Sequence, residues 1–126
     1  NSLPAVRMWQ ILGNIGWYRN YTTEFFGDYD LLLSPSLAVP AFKIGEQPEE
    51  IGGKRVPHRL WGFTPFTYLF NLTGNPAASV PAGFSSAGLP IGLQIIGDMK
   101  DEVTVLAASA ALEEARPWAD KRPPVS

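Results

Sequence analysis

The sequence contains no cysteine among its 126 residues. This absence excludes disulfide bonds and thiolate metal sites, and it is typical of cytoplasmic proteins, so we predict a cytoplasmic location. Histidine occurs once, at His58, and no second histidine or cysteine is present to share a metal with it. We therefore expect His58 to be a surface or hydrogen-bonding residue of a loop.

Long apolar runs and clusters of basic residues are also missing. The densest apolar stretch, residues 31–42, is broken by Pro35 and Pro40, so no membrane span is predicted. Lys and Arg number 10 against 12 Asp and Glu, and the basic residues form no stripe of the kind that binds nucleic acid. We expect neither a membrane nor a nucleic acid as a partner.

The first region, residues 1–27, has apolar and aromatic residues near helical spacing. Ser2 is a candidate N-cap, Pro4 lies in the first turn, and Gly13 and Gly16 are weak points in the pattern. We predict one interrupted helix whose aromatic face packs on a sheet. A site that stacks a ligand ring on this face is the less favoured alternative.

The second region, residues 28–62, begins with a short apolar run at 31–33 that Pro35 ends. A continuous apolar run after a turn predicts a strand buried on both faces, as in a parallel sheet. Residues 38–62 lack clear periodicity and contain several Pro and Gly residues, which indicates a long loop. Loops of this length are usually functional, mobile or packed on another part of the protein.

The third region, residues 63–116, combines short elements with a long helix. Its last element is amphipathic, with acidic residues at the positive end and an apolar face that contains Leu106 and packs on the sheet. A tail rich in Pro and charge, residues 117–126, is expected to be loosely held. The predicted elements are a short helix in 63–72, strands at 77–81 and 91–96, and the long helix over about 101–114.

The chain as a whole predicts an α/β fold with about three strands and at least two long helices. Three strands rarely complete an α/β sheet, and a strand buried on both faces needs cover on both sides. The sequence also begins at Asn1 without an initiator methionine. We therefore expect the chain to be part of a longer polypeptide.

Residues 83–88, Gly-Phe-Ser-Ser-Ala-Gly, permit two interpretations. Serines between glycines are typical of a nucleophile loop, but no base is recognisable nearby in the sequence. Small polar residues between two glycines also suit a hairpin or crossover turn. We favour the turn.

Three segments resemble the C-terminal part of amidase signature enzymes, in the order and spacing of that family. A fourth, Ala-Phe-Lys-Ile-Gly-Glu at 41–46, resembles the branch that amidates tRNA-linked glutamate, whereas 66–76 is more similar to general bacterial amidases, so the branch stays open. The three segments are Asp-Leu-Leu-Leu-Ser-Pro-Ser at 30–36, Asn-Leu-Thr-Gly-Asn-Pro-Ala-Ala-Ser-Val-Pro at 71–81, and Gly-Leu-Pro-Ile-Gly-Leu-Gln-Ile-Ile-Gly at 88–97.

The resemblance implies hydrolysis of linear amides, or amide transfer, by a nucleophilic serine. In the family a second serine in a cis peptide relays the proton, a lysine is the base, and all three lie upstream of the region matched here. Residues 1–126 would then be a C-terminal fragment of a larger amidase domain, with mixed sheet strands flanked by helices, incomplete and inactive by itself. The resemblance implies no metal or cofactor. The expected partners are the upstream portion, a small-molecule amide and a second copy of the chain.

The resemblance also implies a substrate role for residues 63–71, because the equivalent segment borders the acyl pocket in the family. The alternative is that these aromatic residues fill the core between sheet and helix. A further alternative for the whole chain is a free-standing, non-catalytic module that binds a partner through its sheet and aromatic face. The implied substrate-binding residues are Phe63, Phe66, Thr67, Phe70 and Asn71.

Overall fold

The computed structural model describes residues 4–56, 58 and 61–122, and it confirms an α/β fold. Two long helices and a short one accompany a three-stranded sheet and a separate two-stranded hairpin. No helix within these residues is long and apolar enough to cross a membrane. In chain order the elements are α1 (Ala5–Asp28), β1 (Leu31–Pro35), β2 (Glu50–Ile51), β3 (Lys54–Arg55), α2 (Tyr68–Thr73), β4 (Ala77–Phe84), β5 (Pro90–Gly97) and α3 (Glu102–Ala115).

The main sheet has the order β1-β5-β4, and both of its pairings are antiparallel. The parallel setting predicted for residues 31–33 is therefore wrong. Strand β1 pairs only with β5 within the described chain, and the side chain of Leu33 is 57% exposed. Its neighbours Leu31 and Leu32 pack on opposite faces of the sheet, so the apolar run contributes side chains to both faces. Other elements cover only some of these side chains.

Strand β5 lies between two cores because consecutive side chains of a strand point to opposite faces. Ile96 is fully buried against Phe26 of α1 and Phe70 of α2 on one face. Ile95 is 2% exposed and packs with Val80 and Val105 on the other face. The sheet thus has α1 and α2 on one side and α3 on the other.

Helix α1 is continuous through Gly13 and Gly16, so the predicted interruption is wrong. A glycine costs a helix about 1 kcal/mol relative to alanine, which is too little to break a run of 24 residues. Only Thr22 and Phe26 are buried, and Trp9 is 76% exposed. The predicted packing of the aromatic face on the sheet therefore holds only near the C-terminal end of the helix.

The start of α1 differs slightly from the sequence prediction. Pro4 occupies the N-cap position with an extended backbone, and the helix begins at Ala5. Ser2, the candidate N-cap, lies outside the described residues. Proline suits this place because the first N–H groups of a helix have no partner within the helix.

Helix α3 begins as predicted, with the Asp101 carboxylate accepting a hydrogen bond from the Thr104 N–H at 3.2 Å. The face predicted to pack on the sheet is wrong. Val105 is 3% exposed and contacts the sheet, whereas Leu106 is 66% exposed. Adjacent helical residues lie about 100° apart, so a stripe assigned one residue too far misses the core. Trp118 packs on the same core, which holds the first part of the predicted loose tail.

The long loop predicted at 38–62 contains a short antiparallel hairpin of β2 and β3. Its two central residues are Gly52 and Gly53, with φ of 58° and 75°. A tight hairpin turn with positive φ at both central positions favours such residues. The prediction of a wholly irregular loop is therefore wrong at this point.

Candidate functional site

The segment from Trp61 into α2 forms one wall of a cleft of about 690 Å³. Its lining positions recur at about helical spacing, so one side of the segment faces the cleft. The wall is mainly apolar and aromatic and also includes the polar side chains of His58 and Asn71, a composition typical of small-molecule sites. The lining residues are His58, Trp61, Gly62, Pro65, Tyr68, Asn71 and Leu72.

Two of the predicted substrate-binding residues are consecutive in α2 and face different surroundings. Asn71 is exposed and lines the cleft. Phe70 is 7% exposed and packs in the core with Phe26 and Ile96. Phe70 therefore has the packing role, in the core between sheet and helix, that was the alternative predicted from the sequence.

The other three predicted residues lie in the segment that directly precedes α2. Phe63 contacts Phe42 edge to face, with ring centroids 5.1 Å apart. Thr67 precedes the helix, and its hydroxyl donates to the Thr64 carbonyl at 3.2 Å. Phe66 is 36% exposed. A substrate contact by any of the five residues stays a prediction.

Hydrogen bonds between described residues attach this wall to the sheet region. The Ala38 N–H donates to the Phe63 carbonyl at 3.0 Å. The Gln94 side-chain amide, which is buried in β5, donates to the Phe66 carbonyl at 2.8 Å and to the Ser34 hydroxyl at 3.1 Å. Sequence reasoning did not select Gln94 as a site residue, although a lone amide within an apolar strand was the available signal.

A buried polar network holds the far end of α2. Arg19 Nε donates to the Thr73 carbonyl at 3.1 Å. The Thr73 hydroxyl donates to Asn75 Oδ1 at 2.7 Å, and Asn75 Nδ2 donates to the Gly97 carbonyl at 2.9 Å. Since Thr73 is fully buried and Asn75 is 8% exposed, these bonds fix α2 relative to α1 and β5.

A second cleft, of about 450 Å³, lies beside a pair of serines. The hydroxyl oxygens of Ser36 and Ser79 are 2.6 Å apart above Gly92, where an added Cβ would lie 2.7 Å from Ser36 Oγ. Among the described residues, no lysine or histidine lines this cleft. Such a base is what would turn a hydroxyl into a nucleophile, and the described lining of this cleft supplies none.

Residues 85–89 connect β4 and β5, whereas Gly83 and Phe84 are the last residues of β4, so the favoured turn interpretation is confirmed for the two serines. The Ser85 N–H donates to the Leu89 carbonyl at 2.8 Å, and Ser85 Oγ accepts from the Leu89 N–H at 3.1 Å. Gly88 has a φ of 76°, a conformation that suits glycine. The Ser85 hydroxyl is thus part of the turn, and Ser86 is exposed.

Metal ligands do not cluster within the described chain: no group of three or more Asp, Glu or His side chains there could hold a metal ion.

Known proteins match most of this chain. The family model for amidases matches residues 9–106. An acylamidase of Rhodococcus erythropolis is 42% identical over 102 residues, which are 80% of this chain and 21% of that protein. A glutamyl-tRNA(Gln) amidotransferase subunit of Thermodesulfovibrio yellowstonii is 39% identical over 105 residues, 83% of this chain and 20% of that protein.

A solved structure shares the fold as well. The structure of 6-aminohexanoate cyclic dimer hydrolase matches with a TM-score of 0.82 and 30% sequence identity, over 97% of this chain and 27% of that chain. The present chain therefore spans about a fifth to a quarter of the length of these matched proteins.

Proposed function

The chain belongs to the amidase family, and we propose that it forms part of an amide-bond hydrolase whose nucleophile and base lie outside its 126 residues. The observation that carries this proposal is the match to one limited part of much longer amidases. The serine pair described above supports it, because no lysine or histidine among the described residues lines the cleft beside that pair. In the proposed reaction a serine, a second serine and a lysine from the remaining portion act on the amide carbonyl.

The proposed chemistry proceeds through an acyl-enzyme. The lysine amine accepts the proton of the nucleophilic serine through the second serine, and the nucleophilic serine attacks the carbonyl carbon of the amide substrate. The amine portion of the substrate takes up that proton and leaves. Water then hydrolyses the ester and regenerates the serine. Backbone N–H groups of a glycine-rich loop would stabilise the oxyanion.

The exposed area of the chain supports a structural role inside a larger protein. The chain exposes 9641 Å². A compact protein of this mass exposes about 6,600 Å², so the excess is several times the roughly 800 Å² that one partner buries in a standard interface. The excess includes large apolar side chains on α1 and α3, such as Trp9 and Leu106. We propose that the remaining portion of the enzyme packs there and continues the sheet.

The cleft along α2 is the proposed acyl site. Trp61 and Tyr68 offer an apolar, aromatic wall, and the Asn71 amide can donate to or accept from a polar group of the substrate. The segment that contains Phe63, Phe66 and Thr67 attaches this wall to the sheet region, and Phe70 anchors the wall to the core. An apolar acyl group is the substrate part that such a wall fits best.

The experiment compares two proteins: the polypeptide that the complete coding sequence specifies and the 126-residue chain. Both are assayed with aliphatic, aryl, amino-acid and cyclic amides. We expect turnover by the complete polypeptide only. A Ser86→Ala variant is the matched control, and its rate should equal that of the parent.

Two outcomes would contradict the proposal. Activity of the 126-residue chain that disappears in Ser85→Ala or Ser86→Ala would place the nucleophile in the turn. A complete polypeptide that has Asn1 as its first residue and binds a partner without hydrolysing any amide would favour the non-catalytic module.

A second candidate is the glutaminase role within a tRNA amidotransferase. It is favoured by the similarity to the glutamyl-tRNA(Gln) amidotransferase of Thermodesulfovibrio yellowstonii and by residues 41–46. Adding glutamine to the same set of amide substrates distinguishes the amidotransferase from a general amidase. Hydrolysis of glutamine that requires further subunits would favour the amidotransferase, whereas hydrolysis of apolar amides by the single polypeptide would favour a general amidase.

A further inference from the structure

We propose that Gln94 is a positioning residue that sets the place of the acyl-cleft wall and so limits the acyl groups that fit. The inference rests on the proposed function for the identity of the ligand. The positioning itself rests on the hydrogen bonds of Gln94 alone. It concerns a buried strand residue that does not line the cleft.

Gln94 lies on the central strand and is 5% exposed. Its side chain is on the sheet face that carries Ile96, toward α1 and α2. The two hydrogens of Nε2 go to two acceptors, Ser34 Oγ at 3.1 Å and the Phe66 carbonyl at 2.8 Å. Gln94 thus joins the edge strand to a loop residue 28 positions away.

The Phe66 carbonyl is a critical attachment point for the wall. Tyr68, which lines the cleft, follows Phe66 by two positions, and Pro65, which also lines it, directly precedes Phe66. A shift of Phe66 therefore moves both lining residues together. A second attachment before α2, among the described residues, is the bond from the Ala38 N–H to the Phe63 carbonyl.

The two bonds need two donor hydrogens at the end of a side chain that reaches as far as glutamine. Glutamate at this position would present carboxylate oxygens, which only accept hydrogen bonds, to two oxygen atoms. Methionine has nearly the same length but no donor. In Gln94→Met, and in Gln94→Glu while the carboxyl is ionised, the Phe66 carbonyl loses its donor, and a displacement of about 1 Å in a binding site is enough to change kinetics.

The expected effect is on selectivity between acyl groups. A bulky acyl group depends on the exact depth of the cleft, whereas an acetyl group does not reach as far along the wall. We expect the KM ratio of a bulky aryl-acyl amide to an acetyl amide to rise by up to about tenfold in Gln94→Met, the range that loss of one neutral hydrogen bond covers. The value of kcat for the acetyl amide should stay near that of the parent.

The experiment uses the complete polypeptide and three variants, Gln94→Met, Gln94→Glu and Ser34→Ala. Ser34→Ala removes one acceptor of the same amide and keeps the bond to Phe66, so it is the matched control and should leave the KM ratio unchanged. Gln94→Glu should raise the ratio at high pH and recover part of the loss at low pH, because a protonated carboxyl donates one hydrogen bond. Gln94→Met should show no such recovery.

Amide hydrogen exchange in residues 61–73 gives a readout that does not need activity. We expect faster exchange there in Gln94→Met, with the exchange of α3 unchanged. If the complete polypeptide hydrolyses no amide, the proposed function fails, and the exchange result still decides the positioning role. A folded Gln94→Met variant with parental exchange in 61–73 and a parental KM ratio would overturn the inference.

Discussion

Two neighbouring residues of α3 are predicted to respond very differently to truncation in the 126-residue chain. Val105 is 3% exposed and packs with Val80 and Ile95, whereas Leu106 is 66% exposed. We expect Val105→Ala to lower the free energy of unfolding clearly and Leu106→Ala to change it little. The pair is well matched because both substitutions place the same residue at adjacent positions in the first half of the same helix.

The magnitude for Val105→Ala follows from three terms. Removing two buried methyl groups loses about 1.6 kcal/mol of transfer free energy. A cavity that does not collapse adds up to about 1 kcal/mol. The better helix propensity of alanine returns about 0.5 kcal/mol. The net loss is about 2 kcal/mol, while Leu106→Ala, with little burial to lose and no penalty in propensity, should stay within about 0.5 kcal/mol.

The assay is urea denaturation followed by the helical circular-dichroism signal. The two variants and the parent are compared at the same chain concentration, and the free energies come from linear extrapolation. Equal m-values would show that the variants unfold from a state as compact as the parent. An equal loss in both variants would refute the assigned face of α3, and a larger loss in Leu106→Ala would restore the face predicted from the sequence.

Three further predictions concern the network, the turn and the exposed surface. Asn75→Asp keeps the acceptor for Thr73 but leaves the Gly97 carbonyl without its donor, so the midpoint of a urea melt should fall by the equivalent of about 1–3 kcal/mol, with Asp98→Asn next to the network as the control. Gly88→Ala should cost about 1 kcal/mol by the same measurement, because its φ of 76° is strained for alanine, and no loss would contradict the turn geometry. Sedimentation equilibrium of the isolated chain should show self-association that the remaining portion of the enzyme suppresses, whereas a monomer at all concentrations would argue against the exposed apolar surface as an interface.

The elements that could be predicted from the sequence are those with local signals. Strands β4 and β5, on either side of the turn at 85–89, are predictable from local signals. Proline residues mark the strand ends, and small polar residues with glycine are typical of a turn. The N-terminal end of α3 is predictable because Asp101 is an effective cap. Strand ends are less certain, and β4 and β5 both extend beyond the predicted ranges.

The features that the sequence could not supply depend on distant partners. The antiparallel pairing of β1 with β5 joins residues about 60 positions apart, and nothing near 31–33 records it. The same holds for the candidate site. Asn71 and Phe70 differ by one position on a short helix, and only the place of the core decides which one faces the cleft. Gln94 carries no local sign that its amide reaches Phe66.

Two of the apolar residues that were predicted to be buried but are exposed, Leu33 and Leu106, belong to the side of the sheet that carries α3. Leu33 pairs with Ile95 in register, so its side chain is on the same side of the sheet as α3, where Leu106 also lies. A hydrophobic pattern reflects burial in the whole protein, whereas the structure of this chain shows only the burial that the chain provides for itself. Under the proposed function the disagreement therefore marks the contact surface: the remaining portion should pack beside the open edge of β1 and over α3. Leu106→Ala, neutral in the isolated chain, should then cost about 2 kcal/mol or more in the complete polypeptide, and a neutral result in both proteins would place the contact elsewhere.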